Sequence, residues 1–253
     1  MRNWKWPKCL VAGAFAALLM CCPNFRSGAD LTAPQVLERC KKAYGALKSY
    51  KGTTLVVTKA TIGGTKQTFA TSANIEFVRP GKIRVEGKMM TMGGFIFISD
   101  GAQTWQKTQI MNGGKWQKAQ NIEMAIATFT GTSQNAATAI PALLVNVNWG
   151  NPFGPTLRAD KVRREMVGKA VALRLEATSA IGRVTYWIDP RTFLLTRKHE
   201  VQDIGKISSQ QGIKLPEGMP STGMTDATET YPNVRPNVPI PASRFVRPAD
   251  APK

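Results

Sequence analysis

From residue 50 to residue 110, apolar and polar side chains alternate with a period of two in segment after segment. A helix of 3.6 residues per turn scatters such a pattern around its circumference, whereas a strand sorts it onto two faces. The segment NIEFVRPGKIRVEG, residues 74–87, shows the unit. Ile75 and Phe77 alternate with Asn74 and Glu76, Ile83 and Val85 alternate with Arg84 and Glu86, and Arg-Pro-Gly-Lys stands between the two runs. This predicts a hairpin of two half-buried strands, with an arginine at its bend that the hairpin itself does not require.

The same reading predicts strands over 50–61, 65–78, 82–90, 94–100 and 102–110. Further strands follow over 156–167, 169–178, 182–189 and 193–201, and 224–234 returns as a last one. Gly63-Gly64, Pro80-Gly81, Asp100-Gly101, Gly168-Lys169, Ile181-Gly182 and Asp189-Pro190-Arg191 supply the turns. Asp100-Gly101 is the strongest of these, because a tight two-residue hairpin turn wants positive φ at both central positions. Short strands spaced so evenly make an antiparallel meander, not a parallel sheet with crossover helices.

The period lengthens first over 33–48, where Val36, Leu37, Cys40, Ala43, Tyr44 and Leu47 share one helical face, with Thr32 as N-cap and Pro34 in the first turn. It lengthens again over 121–131 and 133–147, read as two helices, with Pro141 kinking the second or starting a turn within it. Residues 205–223, rich in Gly, Pro, Ser and Lys, read as a mobile loop, and the proline-rich end 235–253 as extended. The fold class is mainly β with helices (α+β). A long meander must hide its apolar face, and the helical insert around 121–148 is the obvious cover.

At the start of the chain, Arg2, Lys5 and Lys8 precede the apolar run CLVAGAFAALLMCC, and SGA at 27–29 offers small residues for cleavage. The run is shorter than the ~20 residues of a spanning helix. Residues 1–29 are therefore expected to be a cleaved secretory signal, and 30–253 a single exported domain. Lipid attachment at Cys21 or Cys22 is the weaker reading, since Met20 and Cys21 stand where a lipobox has a small residue. Without 1–29 only Cys40 remains, so no internal disulfide is expected. Its place on a helix face marks it as a small core residue rather than a reactive thiol.

The formal charge of the full chain is +18; residues 1–29 hold four of the bases and no acid, which leaves +14 for the exported part. In the cytosol that would suggest nucleic acid. An exported chain meets lipid head groups, surface glycolipid or acidic proteins instead, and no nucleic-acid partner is expected. The bases are scattered along strands, densest at 161–165 and 197–199, so they form either a solvated face or a docking patch.

Catalytic groups are sparse. His199 is the only histidine, which excludes multi-histidine metal sites, and it sits in an alternating strand pattern as a surface residue. No Gly-x-Ser-x-Gly turn leads into a helix, no glycine-rich phosphate loop follows a strand, and Asp100 and Asp189 are explained by their turns. The chain is expected not to be an enzyme and to need neither cofactor nor metal. It does carry surplus apolar surface. In GGFIFISD, Phe95 and Phe97 point one way and Ile96 and Ile98 the other, so this strand should be covered on both sides. Met89, Met90 and Met92, with Met111 and Met124 nearby, either fill core gaps or line a pocket for an apolar guest. The apolar, proline-interrupted AIPALLV is suited to a movable lid.

FVRPGKIRVEG followed by FIFISDGAQTW resembles the LolA/LolB-like periplasmic lipoprotein carriers, in which an Arg-Pro after a strand, a further strand, and then Ser-Asp-Gly with an aromatic recur in that order. VTYWIDPRTFLLTRKHEV and ETYPNVRPNVPIPASRFVRPADA are similar to the family's late hairpin and closing segment, and the match is nearest to its uncharacterised branch. The resemblance covers most of 33–250. It implies a curved, incomplete antiparallel β-barrel with helices over its concave face, which holds acyl chains of lipoproteins or other lipids and ferries them toward the outer membrane. A monomer is implied, with inner-membrane donor and outer-membrane acceptor proteins as partners. The alternative is a LolA-like sensor that regulates envelope stress through a protein partner without transport.

On that resemblance Arg79 and Pro80 form the lid latch, although a solvated hairpin arginine would look the same in sequence. The cavity would be lined from the strands by Phe77, Val85, Met89, Phe95, Phe97 and Trp105. Phe129, Ile140, Leu143 and Leu144 would line it from the lid. The long 205–223 loop, Pro141 and the high charge depart from the family pattern.

Overall fold

A computed structural model describes residues 31–62, 64–89, 93–132, 136–154, 157–179, 182–203 and 223–252. The expected signal at 1–29 and all of the expected loop at 205–223 except Gly223, the first residue of the last long strand, lie outside these residues, as do Gly63, Met90, Met92 and Ile181. Every element among the described residues lies in one compact unit, Thr32–Lys253.

Helix α1, Ala33–Ala46, begins where the sequence places it. The Thr32 N–H donates to Gln35 Oε1 at 2.9 Å, Pro34 lies in the first turn, and Val36, Cys40 and Tyr44 are buried one turn apart. Burial pushes the Cys40 thiol up to about 12, so it stays protonated and packs as a small apolar group.

The first hairpins follow as β1 (Ser49–Ile62), β2 (Thr65–Val78), β3 (Lys82–Met89), β4 (Gly93–Asp100) and β5 (Thr104–Thr108). The β4–β5 connection differs from the expected two-residue turn. Gly101 has φ +98, and Asp100 Oδ1 accepts from the N–H groups of Ala102 and Gln103 at 2.8 Å each, which closes a three-residue loop. β5 also ends earlier than expected. Gln109–Asn112 forms a short helix, α2, and Gly113 and Gly114 at φ +60 and +76 turn the chain into β6 (Trp116–Ala119), a strand too short to show alternation in sequence.

The insert contains α3 (Ile122–Thr132) and α4 (Ala139–Val145). Pro141 is the third residue of α4, in the turn whose N–H groups have no helical acceptor, so it costs the helix nothing and introduces no kink. The second half runs through β7 (Arg158–Val167), β8 (Ala170–Ser179), β9 (Gly182–Ile188), β10 (Leu195–Asp203) and β11 (Gly223–Thr230). The expected extended tail holds a two-residue strand, β12 (Arg235–Pro236), and a 3-10 turn at Ala242–Phe245.

All pairings are antiparallel, in the order β6-β5-β4-β3-β2-β1-β11-β10-β9-β8-β7, with β12 beside β1. Among the described residues no pairing joins β6 to β7, so the curved sheet stays open rather than closing into a barrel. Residues opposite each other in such a ladder point to the same side, and the register therefore sorts every side chain. The inner face carries Tyr50, Ile75, Phe77, Ile83, Val85, Phe95 and Phe97, all at most 2% exposed. α1 covers the β7–β10 side of this face, α3 the β5–β6 side, and α4 packs between α1 and α3.

Candidate functional site

The inner surface of β2–β4 is an apolar wall. Ile75 opposes Val85, Phe77 opposes Ile83, and Val85 opposes Phe97. Gly87 leaves room for the Phe95 ring, since a β-carbon there would overlap both that ring and the Ser72 carbonyl. Facing the wall, α3 buries Ala125, Ile126 and Phe129. Phe129 lies 5.6 Å from Phe97, with ring planes 20° apart, and 5.4 Å from Phe95. α4 is buried from Ala139 to Leu144, with Ile140, Leu143 and Leu144 its largest side chains. The lid side chains thus occupy the space in front of the wall, and the site is closed.

Of the ten residues expected to line the cavity, nine lie at this wall or its helical cover; Trp105 does not. It opposes Ile98, on the outer face, and its Nε1–H donates to the Pro252 carbonyl of the C-terminal segment at 3.2 Å. The inner position beside Phe97 is Gln106, whose Oε1 is buried without a hydrogen-bond partner among the described residues. Extending the Phe95–Phe97 alternation across the hairpin finds it, since a turn centred on Asp100-Gly101 and the observed Ser99–Thr104 pairing both set Gln106 opposite an inner phenylalanine. Ile75 and Ile83 also belong to the wall, as their alternation with charged residues signalled. Met89 is buried at the far end, opposite Thr71. Met124 is 47% exposed and lines nothing. The expectation that β4 is covered on both sides holds in part: on the outer face Ile98 is 2% exposed, whereas Ile96 is half-buried.

Arg79 stands where the β2–β3 hairpin meets two helix ends. Its Nε donates to Leu47 O at 2.9 Å and its Nη2 to Tyr44 O at 3.0 Å, both at the C-terminus of α1. The same Nη2 reaches Leu144 O in α4 at 3.5 Å, a long and weak bond. A planar guanidinium can serve all three carbonyls at once, and its carbon lies 5.2 Å from the Phe77 ring centre. Pro80, exposed, joins the bend through a cis peptide. The lid has a second tie on the other side. The Trp149 backbone N–H donates to Glu123 Oε1 and its indole N–H to Thr130 Oγ1, at 3.2 and 3.1 Å.

The inner face of β9–β11 has a different chemistry. Lys198 Nζ sits 2.7 Å from Glu200 Oε2 and 2.9 Å from Glu229 Oε1, and Tyr231 donates to Glu229 Oε2 at 2.7 Å. Burial alone would push the Lys198 ammonium down, but the two carboxylates outweigh it and hold the ammonium well above its usual range. Burial would likewise raise Glu200, yet Lys198 keeps it below the usual carboxylate range. Sequence reading missed this cluster, because strand alternation suggests apolar, not ionic, inner positions. His199 points outward and pairs with Asp226 at 2.9 Å. Among the described residues, no group of three or more His, Cys, Asp or Glu side chains could hold a metal ion, and no helix is long and apolar enough to cross a membrane.

A cleft of about 340 Å³ opens between α1, the end of α4 and the 146–154 loop, lined by Lys41, Leu143, Asn146, Asn148, Asn151 and Phe153. It brings solvent to the edge of the lid at Leu143.

No family model matches the chain, and no curated protein matches it. Solved structures similar to it include a LolA superfamily protein of Nitrosomonas europaea, at 11% identity and TM-score 0.33, covering 86% of this chain and 98% of that one. The lipoprotein LppX of Mycobacterium tuberculosis has 14% identity and TM-score 0.40, over 83% of this chain and 100% of that one. The MucA/MucB complex of Pseudomonas aeruginosa has 12% identity and TM-score 0.43, over 86% of this chain and 62% of that one. The Nitrosomonas europaea protein bears the name of the family that the sequence motifs resemble. At such identities and TM-scores they carry no argument about function.

Proposed function

We propose that the protein is a non-enzymatic carrier of the cell envelope that shelters acyl chains of lipoproteins or other lipids between the inner wall of β2–β4 and the α3–α4 lid. One observation carries this reading: the side chains in front of the wall come from a separate helical insert. An insert that fills its own site can leave it. If α3 swings away, Phe129 uncovers Phe95 and Phe97, and a hydrocarbon chain can take the vacated place. Burying hydrocarbon contributes about 0.8 kcal/mol per methylene, so a long chain gains on the order of 10 kcal/mol to set against lid opening. Arg79 is the latch in this scheme, anchored firmly to α1 and weakly to α4. The basic, apolar start of the chain supports export to the periplasm, and delivery toward the outer membrane between donor and acceptor proteins is the accompanying proposal.

The test is extraction and mass spectrometry of lipid from protein purified out of the envelope, with Phe129→Ala and Trp105→Ala in parallel. Retained acyl lipid, reduced by Phe129→Ala and unchanged by Trp105→Ala, is the expected result. Protein that retains no lipid and displaces no apolar dye overturns the carrier reading. Capture of an envelope protein without lipid would favour the sensor alternative.

A further inference from the structure

On the outer face, opposite the apolar wall, the register brings a row of charges together. Arg235 of β12 opposes Lys51 of β1, Lys51 opposes Glu76 of β2, and Glu76 opposes Arg84 of β3. Adjacent strands lie about 4.8 Å apart, so three cations and one carboxylate share a strip four strands wide. Arg244, from the 3-10 turn, enters above the row and donates to Glu76 Oε2 at 2.7 Å, while Lys51 holds Glu76 Oε1 at 2.8 Å. The Glu76 side chain is only 8% exposed, and its bond to Arg244 ties the tail to the sheet. Between these groups lies a cleft of about 320 Å³, with Thr53, Asn74 and Asn233 also at its walls.

Its charges do not balance. Lys51, Arg84, Arg235 and Arg244 face Glu76 and Glu86, leaving two positive charges in excess. Glu86 is engaged by Arg84 at 2.8 Å, and Arg235 has no acidic partner among the described residues. Like charges directly opposed across a ladder, as Arg235 and Lys51 are, destabilise it unless something lies between them. The donors are also unspent: Lys51 Nζ uses one of its three protons on Glu76, and the Arg244 bond to Glu76 leaves its terminal nitrogens available.

We propose that this cleft binds a phosphate monoester, with the Arg235 and Arg84 guanidiniums as its main ligands and Lys51 and Arg244 held in position by Glu76. A monoester carries close to two negative charges near neutral pH and three acceptor oxygens. That matches the excess in charge, and bidentate guanidinium contacts suit its geometry. The group could arrive on a small soluble molecule or as the head group of a lipid in a bilayer.

Two probes separate these sources: calorimetric titration with inorganic phosphate and glycerol 3-phosphate, and co-sedimentation with phosphatidylcholine vesicles with and without phosphatidic acid. Each is run on the native protein, on Arg235→Gln and on Lys66→Gln. Arg235 is exposed, so its replacement leaves the fold intact, and Lys66 is an exposed cation of β2 away from the cleft. Binding of either probe that weakens about tenfold or more in Arg235→Gln and is unchanged in Lys66→Gln is the expected result. Binding of the soluble phosphates would identify a soluble ligand, and capture by phosphatidic acid vesicles alone a membrane head group. If the native protein binds neither probe, or if Lys66→Gln weakens binding as much as Arg235→Gln, the site does not exist.

Discussion

A single nitrogen, Nη2 of Arg79, touches both Tyr44 O at the end of α1 and Leu144 O in the lid, at 3.0 and 3.5 Å. The unequal lengths mean that the arginine belongs to the α1 side and can release α4 without losing its own anchorage. Arg79→Ala should lower stability by about 1–3 kcal/mol, through the loss of charged donors to part-buried carbonyls. Amide exchange should rise in α4 more than in β1 or β2. Arg79→Lys should behave nearly as badly, since an ammonium lacks the planar fork. Hydrogen exchange by mass spectrometry decides the matter: unchanged protection of 139–145 in both variants would remove the latch.

The two aromatic sites separate core from function. Phe129→Ala should cost about 3–5 kcal/mol by emptying a fully buried site against Phe95 and Phe97. Trp105→Ala should cost a similar amount, since the side chain is 2% exposed under the C-terminal segment. Chemical denaturation measures both. Equal losses of stability with unequal losses of retained lipid would tie the lipid to the inner face; equal losses of both would not.

Lys198 neutralises two carboxylates that would otherwise face each other in the interior. Lys198→Met should destabilise the fold by about 3–5 kcal/mol. Adding Glu200→Gln and Glu229→Gln to that variant should recover part of the loss, because no uncompensated charge is left buried. Urea midpoints of the single and triple variants check this, and a triple variant weaker than the single one contradicts it.

Acid should unfold the protein through identifiable groups. Burial would raise Glu76, but Lys51 and Arg244 outweigh it and hold its carboxyl below the usual range. Glu200 is lowered in the same sense by Lys198. With folded pKa values below the unfolded ones, the unfolded chain binds more protons as pH falls. The stability these groups contribute is therefore full at neutral pH and lost below about pH 4. Glu76→Gln should reduce the slope of that acid limb, which thermal melts from pH 7 downward would reveal.

Much of this molecule could be read in one dimension. The alternation of Ile75, Phe77, Ile83 and Val85 with charged neighbours defined two strands, a hairpin and the apolar side of each, because side-chain direction in a strand is a local property of the backbone. The helical face of Val36, Cys40 and Tyr44 was equally plain. What only the tertiary structure decided were the long-range choices. Trp105 looked like a cavity residue, but the C-terminal segment, distant in sequence, packs over the outer face of β5 and takes its indole N–H. Lys198, Glu200 and Glu229 became a buried cluster only when β10 met β11. Arg235, Lys51, Glu76 and Arg84 became one row only when strands from opposite ends of the chain paired. Pattern determines which way a side chain points relative to its neighbours; pairing between distant segments determines what it meets, and no local physical signal encodes that.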